Sequence, residues 1–514
     1  MFLACVILPA ATDSGGQKTV APANRKTMSE TAVPHIAIVG AGYSGTQTLA
    51  ELVRRAHAPL SIEVIESQHS LALGVAYSTT EPVHLLNVRT AKMGAFADDP
   101  GGFYDWLQTE AGRQAVASCC PELAVTPDGF MPRAVYGAYL ADGLRRTVAE
   151  AARKEIAVRF RKASAVDAEL LDPVKQRLRL WLEQDGGQQP LDVDVVVLAT
   201  GNLPPKRFPF VEELPHPQPR YVADLWNPSP GSLFPGAVAQ LSRDSEVVII
   251  GTGLTMVDAV LTLDRRGFPG RITAISRHGL LPQDHAPDAP CLDWSLVNDP
   301  ESAPQTALGL LASVRRQARR AAERGATWQN VVDSLRSLTP WLWQRLSLRE
   351  KRRFLARLLP YWSVHRHRMA PCASATVQKW QAEGRLRIIA GQVIGVSAEV
   401  DKLRLSYRQR GSERLDTTSA ELLLNCTGPD GELTHGPNRL LRNLLVRKLI
   451  SGCPLRLGIE RTPLGTACGP ADASLFAIGF LGTGELLEST AVPDLRQHAA
   501  QVAQAVLQRC GNGG

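Results

Sequence analysis

The stretch HIAIVGAGYSGTQTLAELVRRAHAPLSIEVIE, residues 35–66, decides the fold of the chain. Apolar runs at its start and end predict two short buried strands, and TQTLAELVRR between them has the spacing and composition of a helix. Three glycines in the pattern G-x-G-x-x-G separate the first strand from the helix. This order of strand, glycine-rich turn, helix and strand is typical of a βαβ unit that binds a dinucleotide.

Each part of this motif has a physical role. Gly40 permits the tight turn, Gly42 lets a pyrophosphate approach the backbone, and Gly45 lets the helix pack closely on the strand. The helix N-terminus offers N–H groups to the phosphates. Glu66 follows Gly45 by 21 residues, close to the roughly 20 expected for an acid that binds the ribose. The predicted cofactor contacts of this unit are Gly40, Gly42, Tyr43, Ser44, Gly45 and Glu66.

A second unit of the same kind is EVVIIGTGLTMVDAVLTLDRRGFPGRITAISRH, residues 246–278. Met256 replaces its third glycine. Arg277 follows Gly251 by 26 residues, the distance that separates Glu66 from Gly40. An arginine here suits a 2′-phosphate and favours NADPH over NADH, and the alternative is that it only caps the strand. The predicted contacts are Gly251, Gly253, Leu254, Thr255, Ser276 and Arg277.

Two such units predict an α/β protein with two Rossmann-like dinucleotide-binding domains, one for FAD and one for NAD(P)H. The apolar strands VVVLATG and LLLNCTG end at Gly201 and Gly428. They are typical of the points where the chain crosses between two such domains. Gly201 is therefore a further predicted cofactor contact.

These crossings predict the domain bounds. Residues 1–30 lack the ordered pattern, and we expect a disordered tail or an upstream-start extension there, with a cleaved signal peptide as the alternative. The predicted domains are a discontinuous FAD-binding domain, 31–205 and 429–510, and an NAD(P)-binding domain, 206–428, with a helical insertion, 303–382.

The insertion is basic and rich in tryptophan. Residues 301–370 hold 14 Lys/Arg and 4 Asp/Glu, a net charge of +10 in a chain of net +7. This charge predicts either a solvated helix face or a lid that attracts anions. Within it, His365, Arg366 and Arg368 are predicted to face the flavin cleft and bind an anionic group of the substrate or of NADPH, and packing is the alternative role.

Composition excludes several classes of protein. Hydrophobic residues make up 44% and charged residues 21%, which are ordinary globular values. We expect no membrane span and no nucleic-acid partner, because neither an apolar run of ~18 residues nor a nucleic-acid motif is present. The nine cysteines form no C-x-x-C pair, which disfavours zinc and disulfide-reductase chemistry and suits reduced thiols in the cytoplasm. No metal is predicted.

The chain resembles the bacterial FAD/NAD(P)-binding flavoproteins and, more distantly, the class B N-hydroxylating flavin monooxygenases. This resemblance implies that Arg133 and Gly479 lie near FAD, and that His84 and Asn87 line the flavin as candidate catalytic residues. Both of these could instead hydrogen-bond their own loop. The stretches that carry the resemblance are GVAYSTTEPVHLLNV (74–88), PRAVYGAYL (132–140), IGTGLTMVD (250–258), SRHGLLP (276–282), VHRHRMAP (364–371) and IGFLGTGELLESTAVPDLR (478–496).

The resemblance implies an FAD-containing, NADPH-dependent monooxygenase that uses molecular oxygen on a small polar substrate, an amine or amino acid. The catalytic chemistry would be centred on the flavin. One alternative is an NAD(P)H-dependent flavin reductase or dehydrogenase that does not insert oxygen. A second is a sensor that binds nucleotides without catalysis.

The arginine of the second unit gives a direct test of nucleotide preference. Arg277→Ala should weaken NADPH binding much more than NADH binding, because only NADPH carries the 2′-phosphate. Titration of both nucleotides against parent and variant measures this. Equal losses for the two nucleotides would contradict the assignment.

Overall fold

The computed structural model describes residues 33–511 apart from 68–69, 217, 228–233, 235, 237, 239–240, 287–293, 435 and 472–473. The expectation for residues 1–30 lies outside these described residues. The described residues form strands and helices that alternate along the chain, as an α/β fold requires.

The described strands are numbered in chain order. They are β1 (His35–Val39), β2 (Ser61–Glu66), β3 (Ala157–Lys162), β4 (Ser164–Asp172), β5 (Arg177–Gln184), β6 (Gly187–Val193), β7 (Val195–Leu198), β8 (Tyr221–Val222), β9 (Glu246–Ile250), β10 (Arg271–Ser276), β11 (Leu386–Ala398), β12 (Leu403–Gln409), β13 (Leu415–Ala420), β14 (Leu422–Asn425) and β15 (Leu475–Ala477).

The described α-helices are numbered in the same way. They are α1 (Tyr43–Arg55), α2 (Gly74–Tyr77), α3 (Gly102–Leu107), α4 (Glu110–Cys119), α5 (Arg133–Arg153), α6 (Pro209–Glu212), α7 (Leu254–Arg265), α8 (Ser295–Asn298), α9 (Ala307–Ala322), α10 (Trp328–Ser334), α11 (Thr339–Arg345), α12 (Leu348–Arg357), α13 (Leu359–Arg366), α14 (Pro371–Ala382), α15 (Arg439–Val446), α16 (Thr483–Leu486) and α17 (Val492–Arg509).

The first sheet is parallel and has the strand order β15-β7-β1-β2-β3. Its central strand β1 is apolar on both faces, as expected for a parallel strand covered on both sides. Helices α1, α5 and α17 pack on one face. The antiparallel sheet β4-β5-β6 and helix α15 cover the other face. Strand β15 joins the sheet from near the end of the chain, so two distant segments build it.

The second sheet has the order β13-β12-β11-β10-β9-β14-β8. Strands β8, β14, β9, β10 and β11 are parallel, whereas β12 and β13 add an antiparallel edge. Helices α7 and α14 pack on one face, against a core that includes the fully buried Trp380. Two βαβ units in one chain confirm the predicted α/β class. The exact domain bounds stay predictions.

Helices α8 to α14 lie between β10 and β11. Helices α8 to α11 and α13 contribute to a small core of their own, in which Trp294 and Leu335 are buried, whereas α14 packs on the second sheet. Trp343 donates from its indole nitrogen to the carbonyl oxygen of Gly484, at 2.9 Å, and so ties this helical segment to the chain before α17. Within the described residues, no helix has the length and apolar character needed to span a membrane.

His498 of α17 makes the stability of this fold depend on pH. Burial lowers its pKa to about 4, whereas an unfolded histidine titrates near ~6.5. As the pH falls from about 6.5 to about 4, the unfolded chain takes up a proton that the buried ring does not. The free energy of unfolding therefore falls across this window, and this contribution is constant above it.

The variant His498→Leu should lose this contribution, so that its melting temperature declines less steeply than that of the parent between pH 6.5 and 4. The exposed His216 provides the control, because His216→Leu should keep the parent's slope. Melting curves at several pH values measure both. An unchanged slope in His498→Leu would contradict the assignment.

Candidate cofactor and substrate site

The first glycine turn is shaped by backbone contacts too close for side chains. Gly40 has φ +106°, and a Cβ atom there would lie 2.2 Å from the carbonyl oxygen of Ala199. A Cβ atom on Gly45 would lie 1.8 Å from the carbonyl oxygen of Gly40. Helix α1 thus begins directly against the end of β1, and its first N–H groups point into the space beyond the turn.

Glu66 lies at the end of β2, beside this turn. Its Oε2 accepts a hydrogen bond of 2.7 Å from the backbone nitrogen of Ala41. This contact fixes the carboxylate at the edge of the turn, where a ribose bound along the strand ends would meet it.

A cleft of about 480 Å³ opens in front of the turn. Gly201 lies on its wall with φ +74° and has open space where a Cβ atom would project. The buried hydroxyl of Thr200, also on the wall, has no hydrogen-bond partner among the described residues. A polar atom without a partner, next to a glycine that faces open space, suits a large polar ligand such as FAD. Predicted contacts that line the cleft are Gly40, Gly42, Tyr43, Ser44, Glu66, Gly201 and Gly479.

Sequence reasoning missed part of this wall. The missed segments include α2, the beginning of β4 and the N-terminal end of α15, which Asn438 caps. Gly74 of α2 packs against Gly42, since a Cβ atom on Gly42 would lie 3.3 Å from the Cα atom of Gly74. The glycine of GVAY was a usable signal for this approach, whereas β4 and α15 carry no local motif.

The second turn repeats the first with one difference. Gly251 has φ +108°, and its Cβ atom would lie 2.3 Å from the carbonyl oxygen of Cys426. Gly253 precedes α7 and has open space around it. Met256 stands where the first unit has Gly45, and its side chain is fully buried in the core. The methionine therefore fills the junction between helix and sheet.

The strand register shows which residue of the second unit corresponds to Glu66. Gly40 donates to the carbonyl oxygen of Ile65, and Gly251 donates to that of Ile275, both at 2.8 Å. Ser276, the residue after Ile275, therefore occupies the place of Glu66. Counting 26 residues had matched Arg277 to Glu66, but the second unit is one residue shorter at this point.

Ser276 contacts Thr252, the counterpart of Ala41, but meets the hydroxyl of that residue and not its backbone nitrogen. Its hydroxyl lies 2.8 Å from that of Thr252, the residue after the first glycine of the second turn. Arg277 follows and is exposed. The place of the ribose acid is thus neutral and small, with a guanidinium next to it.

His84 lies in a buried cluster where the loop before α3 meets α7. Its Nδ1 is 2.8 Å from the hydroxyl of Thr79, and its Nε2 is 2.8 Å from that of Thr262. Thr262 donates its own proton to the carbonyl oxygen of Asp258, so it accepts from Nε2. Burial lowers the pKa of His84, although the nearby Asp258 opposes this. The ring is therefore neutral and held on both sides.

Arg133 completes this cluster. It pairs with the buried Asp258 at 3.1 Å, and its guanidinium lies over the ring of Trp226 at 5.0 Å. Burial raises the pKa of Asp258, while Arg133 opposes the rise. Within the described part of the chain, Arg133 lies in this cluster and not along the wall of the cleft. It joins α5 to α7, and so connects the elements of the two sheets.

Asn87 is half-buried. Its backbone carbonyl accepts a hydrogen bond of 3.1 Å from Nε2 of His285. The loop that carries Asn87 therefore contacts His285, which follows β10 in the chain. The catalytic roles of His84 and Asn87 stay predictions.

The arginines of the helical segment already have carboxylate partners. Arg366 is buried and contacts Glu488 through Nε and a terminal nitrogen, both at 2.9 Å. Arg368 is buried and pairs with Asp333. We expected both guanidinium groups to face the flavin cleft and to be free to bind an anion. The structure instead pairs each of them with a carboxylate of the protein. Sequence alone did not pair Arg366 with a residue 122 positions away.

His365 lies elsewhere, on a chamber within the helical segment. Its Nδ1 donates to the carbonyl oxygen of Tyr361 at 2.7 Å, and its ring meets Trp328 edge to face. Among the described residues, no group of three or more His, Cys, Asp or Glu side chains is arranged to hold a metal ion.

Comparison with known proteins agrees with this geometry. Residues 37–203 match a protein family described as FAD-NAD(P)-binding. The chain is also 26% identical over 269 residues to YdhS, an uncharacterized protein of Escherichia coli (strain K12). That match covers 48% of this chain and 46% of YdhS, so the chain spans about half the length of this relative.

Solved structures of N-hydroxylating enzymes share the fold over nearly the whole chain. The ornithine N-hydroxylase KtzI of Kutzneria sp. 744 is 14% identical, with a TM-score of 0.60 over 93% of this chain and 99% of its own. The ornithine hydroxylase PvdA of Pseudomonas aeruginosa is 16% identical, with a TM-score of 0.58 over 93% and 100%. The L-lysine 6-monooxygenase of Pseudomonas syringae is 14% identical, with a TM-score of 0.59 over 92% and 99%.

These findings confirm the predicted resemblance, the flavoprotein fold and the cofactor class, FAD with a nicotinamide dinucleotide. At such low identity the structural likeness concerns the fold alone. The match to the family extends from the first βαβ unit to the residues just after β7, where much of the cleft is built.

The contact between Gly45 and Gly40 is a sharp test of the FAD site. Gly45→Ala should give protein that lacks FAD, because the added methyl group would push α1 away from β1. Gly143→Ala is the control: its Cβ atom meets nothing within 4 Å, and it should retain FAD and gain about 0.5–1 kcal/mol in helix stability. Flavin absorbance per mole of protein measures both. A yellow, FAD-saturated Gly45→Ala variant would refute the assignment.

Proposed function

We propose that the protein is an FAD-containing, NADPH-dependent monooxygenase that acts on an amine or amino acid. The observation that carries the proposal is the presence of two glycine turns, each built as a nucleotide cradle, in one fold. That fold matches N-hydroxylating monooxygenases over 92–93% of this chain. The KtzI structure contains reduced FAD, NADP+ and L-ornithine, which is the combination of ligands that the proposal requires.

The first turn would hold FAD. The N–H groups at the start of α1 would donate to its pyrophosphate, and Glu66 would accept from a ribose hydroxyl. The hydroxyl of Thr200 would gain the partner that it lacks within the described protein. Bound FAD and NADPH would supply the redox chemistry, and the protein would supply position and electrostatics.

The second turn supports NADPH over NADH. Ser276 occupies the place of the ribose acid, so no carboxylate repels a 2′-phosphate there. Arg277 is the next residue, and its guanidinium can bind phosphate through two parallel hydrogen bonds.

The cluster of His84, Arg133 and Asp258 would hold the two nucleotide-binding parts in a fixed relation. Asp258 is buried, so the loss of Arg133 would leave an unpaired carboxylate away from water. We therefore propose that Arg133 acts as a positioning residue. His84, neutral and bound to two threonines, would position the loop that carries Asn87.

Isotopic oxygen provides the decisive experiment. Under ¹⁸O₂, the FAD-loaded protein with NADPH and a substrate amine should give a product that contains one ¹⁸O atom. Candidate amines are screened by their effect on NADPH oxidation, and the products are analysed by mass spectrometry. NADPH oxidation that yields only hydrogen peroxide, or reduces an added acceptor without labelled product, would favour the flavin reductase. An absence of flavin reduction by either nicotinamide would favour the sensor.

A further inference from the structure

A second large pocket lies inside the helical segment, apart from the cofactor cleft. This apolar chamber has a volume of about 570 Å³, within the roughly 300–1,000 Å³ typical of sites for organic ligands. Helices α9 to α13 form most of its wall. Its lining is mainly aliphatic and aromatic and includes Leu310, Leu311, Val314, Ala318, Trp362 and Leu487.

The chamber is partly open to solvent, and the apolar side chains around it are incompletely packed. Protein cores are packed as densely as organic crystals and leave few voids larger than a water molecule. Here Leu310, Leu311, Val314 and Trp362 are only half-buried although they surround a common space. An apolar ligand would cover these side chains and complete the core that Trp294 and Leu335 begin.

Neighbouring residues of one segment line the chamber and the cofactor cleft. Gly479, Phe480 and Thr490 line the cleft, and Leu487, between Phe480 and Thr490 in sequence, lines the chamber. One short segment of chain therefore contacts both spaces. A molecule seated in the chamber would lie next to the segment that also borders the cofactor.

Leu487 is held in a strained conformation in this segment. Its φ is +60° and its ψ is −48°, and the backbone nitrogen of Glu488 donates to the carbonyl oxygen of Leu486 at 2.7 Å. This is a γ-turn of the rare, strained form. Strained residues of this kind persist where the surrounding structure fixes them, and they cluster at functional sites.

Buried polar contacts fix this turn. Glu488 accepts from the indole nitrogen of Trp362 at 3.1 Å and from Arg366 at 2.9 Å. Trp362 is itself a wall residue of the chamber. The Arg366–Glu488 pair thus connects the chamber wall to the cofactor segment, a role that explains why the guanidinium is not free for a substrate anion.

We propose that the apolar chamber binds the alkyl or aryl body of the substrate, with the polar group to be oxidised directed toward the cofactor segment. This inference rests on the proposed function and replaces its small polar substrate with an amphipathic one. The polar groups of the lining are few, and Arg315 and Tyr361 are exposed. The lining therefore selects for apolar area more than for charge.

Chain length provides the test. The probes are n-alkylamines and n-alkylcarboxylates of four, six, eight and ten carbons, titrated into the FAD-loaded protein by isothermal calorimetry. Binding should strengthen about three- to fourfold for each added methylene with at least one head group, because each buried methylene contributes a constant increment. An affinity independent of chain length for both head groups would overturn the proposal.

Two matched variants locate the effect. Ala318→Trp places a large side chain in the chamber and should abolish the gain beyond the shortest chains. Ala322→Trp makes the same change one turn further along α9, at an exposed position outside the lining, and should keep the parent's increments. If the affinity of Ala318→Trp still rises with each added methylene, the alkyl chain binds elsewhere and the proposal is refuted. If Ala318→Trp loses FAD, Leu311→Phe makes the same test with a smaller added volume.

The outcome of this experiment can be distinguished from the outcome of the ¹⁸O₂ experiment that tests the proposed function. Binding of alkyl chains in the chamber without incorporation of ¹⁸O would retain the apolar site and reject the monooxygenase. Incorporation of ¹⁸O into a small polar amine, with no dependence on chain length, would retain the monooxygenase and reject the apolar site.

Discussion

The approach of α1 to the end of β1 is the constraint on which the cofactor cleft depends. A side chain at Gly45 would overlap the carbonyl oxygen of Gly40, so only glycine lets the helix begin there. The same turn brings Gly40 against Ala199, the residue that follows the neighbouring strand β7. The strand ends, the helix N-terminus and Glu66 consequently converge on one side of the sheet, and the cleft forms where they meet.

The second unit obtains a similar turn by other means. Its first glycine makes the same close contact with the neighbouring strand, but Met256 fills the junction that glycine leaves open in the first unit. The helix and sheet are then joined by side-chain packing. Ser276 and Arg277 replace the acid at the edge of the turn. Under the proposed function, one backbone design would serve two nucleotides, and the residues at the strand end would set the difference between them.

The two βαβ units were predictable because their signals are local. Strand, turn and helix lie within about thirty residues, and the spacing of the glycines shows where the backbone leaves no room for a side chain. The match of Arg277 to Glu66 missed by one residue for the same reason: counting along the chain does not show strand register. Hydrogen bonds from Gly40 and Gly251 do show it, and they assign Ser276 to that place.

Contacts between distant residues were beyond the sequence. Arg133 and Asp258 are 125 residues apart, and Arg366 and Glu488 are 122 apart. A guanidinium beside aromatic residues looks the same in sequence whether it awaits a substrate or already has a buried partner. The fold brings the carboxylate to the guanidinium. With that partner in place, the arginine is proposed to position other residues and not to bind a substrate.

The helical segment shows why charge was a poor guide to what lies inside it. Its +10 charge predicted either a solvated helix face or a lid that attracts anions, yet the space between its helices is lined by leucine, valine and tryptophan. Amphipathic helices separate these two properties, since the charged faces meet water and the apolar faces meet one another. Here the apolar faces meet incompletely, and Leu487 closes the gap from the cofactor side. The specificity of the enzyme would then depend on how this unfilled core is completed, and not on the arginines that surround it.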